Sequence, residues 1–107
     1  MFSSVLIIGW VAKKPEIGDK YVRLVVGVWR NMREHDFRPC WIPVVLYGSK
    51  QAEHVRKIGL KQGDLVLVEG ILQSNIVKKE EETENIEKYV FIRGRTLRII
   101  QSKNSES

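Results

Sequence analysis

The chain has 107 residues and a mass of 12.4 kDa, and its 43% hydrophobic content is enough for one domain with one core, not two. No apolar run approaches the roughly 20 residues of a membrane span, the N-terminus has no signal-peptide pattern, and one cysteine, Cys40, excludes an intrachain disulfide. The net charge of +5 favours an acidic partner such as nucleic acid, although a solvated basic face gives the same value.

In chain order, Ser4–Val11 is a first apolar run and predicts a strand. Lys13–Asp19, with Pro15 and Gly18, has turn chemistry. Tyr21–Arg30 alternates with period 2: Val22, Leu24, Val26 and Val28 take the core face, and Tyr21, Arg23, Val25, Gly27 and Trp29 take the other. Asn31–Asp36 is a polar loop. Arg38–Gly48 is the next strand, with Cys40, Ile42, Val44 and Leu46 facing the core and Trp41, Pro43, Val45 and Tyr47 facing away. Pro43 cannot donate to a ladder, so that strand is expected at an edge or with a bulge.

Ser49–Ile58 predicts the one helix, with Ser49 as its N-cap and Gly59 as its left-handed stop. Asp64–Leu72 is a strand in which Gly70 marks a bulge or bend. Residues 78–88 carry three Lys and five Glu, a net −2 that leaves +7 on the rest, and read as a mobile tip between two strands. Tyr89–Ile100 is the last strand and carries Arg93, Arg95 and Arg98. The domain is expected to span residues 1–100, followed by a short polar tail at 101–107. Five strands with one helix between the third and fourth is the plan of an all-β OB-fold, a five-stranded Greek-key barrel that commonly binds oligonucleotides or oligosaccharides on strands 2 and 3.

On that plan Trp29, Trp41 and Tyr47 share the face that the core parity leaves outside. Exposed aromatic planes stack any base for about 1–3 kcal/mol each. The same rings also suit a dimer interface or a second core. The pattern leaves the face of Trp10 open. Arg23 alternates with the aromatics, Arg30, Arg33 and Arg38 border the loop beside them, and Lys50 follows Tyr47, so these five are the candidate phosphate contacts. Arg56 and Lys57 fit a solvated helix face. The catalytic inventory is poor: the three aspartates are scattered, and His35 and His54 stand nineteen residues apart with no Cys or carboxylate arrangement around them. No catalytic residue, metal site or cofactor is expected. Cys40, by parity, is expected to be a small buried hydrophobe.

Four stretches give the chain its resemblance to a known family. Val5–Ile17 (VLIIGWVAKKPEI), Leu24–Arg30 (LVVGVWR), Trp41–Val55 (WIPVVLYGSKQAEHV) and Leu60–Leu72 (LKQGDLVLVEGIL) resemble successive parts of the bacterial single-stranded DNA-binding protein family. The resemblance implies sequence-tolerant binding of single-stranded DNA in replication, repair or recombination. It also implies a cytoplasmic homo-oligomer, typically a tetramer and in some relatives a dimer, with no metal or cofactor. Trp29, Trp41 and Tyr47 match the family's base-stacking positions, and Lys50 matches a basic one. The chain departs from the pattern in three places. It stops at QSKNSES instead of a long linker with an acidic tip, so recruitment of partner proteins by such a tip is not expected. Gln73–Val77 stands where many members have arginines and another aromatic, and Pro43 stands where many have a polar residue. Short barrels of this kind also resemble the dimeric primosomal replication protein, and a protein-interaction barrel is the rival from another class.

Overall fold

The computed structural model describes residues 4–29, 39–78 and 86–103, and at 29, 39, 75–78 and 86–89 the description is of the backbone alone. Runs rich in Val, Ile and Leu form the strands, because branched side chains suit a pleated surface with one face buried. The elements are β1 (Val5–Val11), β2 (Glu16–Ile17), β3 (Tyr21–Trp29), β4 (Pro39–Tyr47), α1 (Ser49–Ile58), β5 (Leu65–Lys78) and β6 (Ile86–Gln101). The turn segment after β1 thus contains a two-residue strand that the sequence reading lacks. Glu16 and Ile17 extend between Pro15 and Gly18 and pair with Arg23 and Val22 of β3.

The sheet runs β1-β5-β6-β4-β3, and β1 returns to β3 through Trp10↔Gly27 and Val11↔Val26, which closes the barrel. β1 and β2 take one flank of β3 in succession, and β4 takes the other along its whole length. β4 meets β6 in parallel through only Val44↔Ile92 and Val45↔Arg93. Five closed strands with one helix after the β3–β4 hairpin make the expected OB-fold. Pro43 lies in unbroken register with Val25, so β4 has no bulge there, and its missing N–H falls just before the pairing with β6 begins.

Val22, Leu24 and Val26 are buried with Val44, Leu46, Val66, Val68, Ile92 and Leu97, while Ala52, Val55 and Leu60 cover the core from the helix side. Cys40 corrects the parity reading: it is exposed. It pairs with Val28 near the far end of the β3–β4 ribbon, where Val28 itself is only half-buried. The ribbon has run past the core at that point.

α1 has its predicted bounds but a different cap. Gly48, at φ 113°, is the cap residue and makes no side-chain cap bond, and Ser49 is already helical. A positive φ turns the chain sharply out of β4, and Gly adopts it without steric cost. Gly59 stops the helix at φ 69° and donates to the carbonyls of Arg56 and Val55, as expected. The Arg56 guanidinium donates to Gly18 O at 2.8 Å, and the Gln51 amide donates to Arg95 O at 2.8 Å, so α1 is tied to both sides of the barrel.

The β5–β6 hairpin is longer than predicted. Ile76, Val77 and Lys78 pair with Lys88, Glu87 and Ile86, so both ends of the acidic segment join the ladder, and residues 79–85 lie outside the described ones. Gly70 marks a bulge, as predicted: Glu69 pairs with Thr96 but Gly70 with Gly94, which leaves Arg95 as the extra residue of β6. Past the barrel, buried Asp64 accepts 2.9 Å bonds from the backbone N–H of Lys61 and of Lys103.

Candidate nucleic-acid interface

Alternation along the β3–β4 ribbon sets the site. With Val22, Leu24, Val44 and Leu46 inside, the pairs Tyr21↔Tyr47, Arg23↔Val45, Val25↔Pro43 and Gly27↔Trp41 face outward. Trp41 is 60% exposed and Tyr47 is 46% exposed. Six residues of extended strand separate them by roughly 20 Å, at about 3.3 Å per residue.

Trp41 sits over a glycine: a Cβ added at Gly27 would come within 3.0 Å of Cζ3 of the Trp41 ring. A larger partner at that register position would lift the ring from the sheet. At the other end the Arg93 guanidinium lies 5.2 Å from the centroid of the Tyr47 ring. One ring face is thereby occupied by a cation, a favourable contact for an aromatic quadrupole.

A groove of about 580 Å³ lies on this face, and Tyr47 is part of its lining. Its basic lining comes from Lys13, Lys14 and Arg23, and its apolar lining includes Val25, Pro43, Val45 and Phe91. Phe91 is only 3% exposed yet lies outside the barrel's core cluster, so it supports the groove instead. Among the described residues of the lining Glu16 is the one acid, 3.7 Å from Arg23. The Arg23 guanidinium also lies 5.1 Å from the centre of the Tyr21 ring. Both members of the ion pair are largely exposed, so water screens it and Arg23 remains available to another anion.

The structure therefore brings Arg23 and Tyr47 into one groove and sets Trp41 on the same ribbon face. Lys50 is exposed on the first turn of α1 and lines no groove described here. Trp29 closes β3 opposite Pro39, with only its backbone described. Arg30, Arg33 and Arg38 lie outside the described residues. Sequence reasoning missed Lys13, Lys14 and Phe91 as groove residues and Arg93 as the partner of Tyr47. The Lys13–Lys14 signal was a basic pair at the mouth of a turn that folds back beside β3.

Among the described residues no three of His, Cys, Asp and Glu come together to hold a metal ion, and no helix is long and apolar enough to cross a membrane. A sequence search of curated proteins finds no match. Among solved structures, the chain is similar to the Plasmodium falciparum SSB in complex with ssDNA, with a TM-score of 0.76 and 19% identity over 94% of this chain and 96% of that one. It is also similar to the mitochondrial single-stranded DNA binding protein of S. cerevisiae, with a TM-score of 0.70 and 12% identity over 94% and 97% of the two chains. At these identities the likeness is one of fold. The model of the Single-strand binding protein family matches residues 2–99, and by that match over nearly its whole length the chain belongs to this family.

Proposed function

We propose that this protein binds single-stranded DNA with little regard to sequence, by stacking bases on Trp41, Tyr47 and Trp29 while basic side chains hold the phosphates. The observation that carries the reading is the pair of exposed rings on one ribbon face, the second of them lining a basic groove. Lys13, Lys14 and Arg23 stand in that groove. Arg30, Arg33, Arg38 and Lys50 belong to the same proposal as further phosphate contacts. Stacking is indifferent to base identity because every base has a π-face, and phosphate contacts carry no sequence information. Single-stranded DNA is also what the names of both similar solved structures specify. The protein acts by binding alone and not as an enzyme, in the cytoplasm, in replication, repair or recombination.

It does so as a homo-oligomer, a tetramer or a dimer. Leu6, Ile8 and Trp10 alternate along β1 on its outward face and are 44–61% exposed. An apolar stripe of this kind on a sheet is suited to burial against a second copy.

A titration of tryptophan fluorescence with oligo(dT) at two salt concentrations tests the proposal, on protein of known mass in solution. Stacking quenches the indoles. If about four of these seven side chains hold phosphates at once, log affinity falls with log salt with a slope of roughly −3. Absence of both quenching and binding at low salt overturns the reading.

A further inference from the structure

A second groove, of about 380 Å³, lies beside Tyr47 and is lined by Tyr47, Gln51, Ile71, Arg93, Gly94 and Arg95. Tyr47 thus lines both grooves. The bulge at Arg95 shapes the second one. Arg93 and Arg95 are both exposed on β6, while Gly94 between them is buried and faces Leu46. The Gln51 amide donates to the carbonyl of Arg95, which fixes the helix against the bulge. β4 and β5, the strands on either side of β6, carry one acid between them, Glu69, opposite Thr96. The groove therefore holds two guanidiniums about two residues apart, next to a ring already proposed to stack a base.

We infer that this groove carries the phosphodiester backbone of the same single strand onward past Tyr47, with Arg93 and Arg95 as its phosphate contacts and Tyr47 as the corner. The inference rests on the proposed DNA-binding reading and adds a second segment of path to it. With Arg93 against one face of Tyr47, a base stacks on the other face. The strand then turns around the ring edge, and its phosphates meet a fork of donors suited to bidentate contact.

The test compares the salt dependence of oligo(dT) binding by the unaltered protein and by the double variant R93Q/R95Q. Each phosphate contact to a single strand contributes about 0.7 to the slope, so the double variant is expected to lose about 1.4. R95Q alone, which leaves the contact between Arg93 and Tyr47 intact, is expected to lose about half of that. R98Q is the control: Arg98 is exposed on the same strand but lines neither groove. Its slope is expected to stay unchanged. Weakened binding with an unchanged slope in both R93Q/R95Q and R95Q overturns the inference, since the arginines would then act only through the position of Tyr47. An R98Q loss as large as that of R95Q also overturns it, because the charge would then act as a diffuse field. If the unaltered protein does not bind oligo(dT) at all, the functional reading itself fails.

Discussion

Trp41 lies across Gly27, its partner on the neighbouring strand, so closely that a Cβ at Gly27 would come within 3.0 Å of Cζ3 of the ring. The glycine lets the indole lie low on the sheet while keeping a face open to solvent. Gly27→Ala is expected to lift the ring by a few tenths of an ångström and weaken oligo(dT) binding about three- to tenfold, a part of one stacking contact. The melting temperature is expected to change little, because Trp41 is exposed and free to move. Fluorescence titration and a thermal melt on the same sample check both halves.

Removal of the ring itself is the larger perturbation. Trp41→Ala is expected to cost about 1–3 kcal/mol of binding and almost none of folding. Anisotropy of a labelled oligo(dT) is the suitable readout, since the variant has lost one of its fluorophores. Unaltered affinity in a protein of unaltered mass would remove Trp41 from the path.

On the proposed reading, Glu16 competes with DNA for Arg23. Glu16→Gln frees that guanidinium and takes one negative charge from the groove lining. Tighter binding by about two- to fivefold is expected at low salt, the range of an exposed ion pair, and the gain is expected to shrink as salt rises. Stability is expected to stay within about 0.5 kcal/mol.

Asp64 is a folding residue. It is buried and holds two backbone N–H groups, one from its own turn and one from Lys103 beyond the last strand. Asp64→Ala strands both donors and is expected to lower unfolding free energy by about 1–3 kcal/mol in a urea titration. Affinity measured below the transition is expected to be unchanged.

Much of this was legible in the residues because β3 and β4 alternate without interruption. Once Val22, Leu24 and Val26 are assigned inward, Arg23 must point outward, and the same rule on β4 sets Trp41 and Tyr47 outside. The helix was legible because Ala52 and Val55 recur at helical spacing and Gly59 ends it. Period 2 fails where a strand bulges. Ile92 and Gly94 face inward, but beyond the extra residue Arg95 it is Leu97 that does. Counting therefore sets Arg93 and Arg95 outward, on the parity of Phe91, but fails at Arg98, which lies beyond the bulge and is exposed as well. Cys40 failed differently: parity gives the side of a sheet, whereas burial also requires a core on that side. Phe91 is the converse case, a residue on the outward parity that is buried all the same and forms part of the groove's lining.

The barrel is fastened at two short seams, β1 to β3 and β4 to β6, with two residue pairs each. Gly27, beneath Trp41, belongs to the first seam, and Arg93, against Tyr47, belongs to the second. A strand of DNA lying on both rings would therefore work as a clasp, bridging the cylinder where its own ladder is briefest. Occupancy would then slow amide exchange at Val26, Gly27, Val44 and Val45 more than in the long β5–β6 ladder, and the loaded protein would be a stiffer object than the empty one.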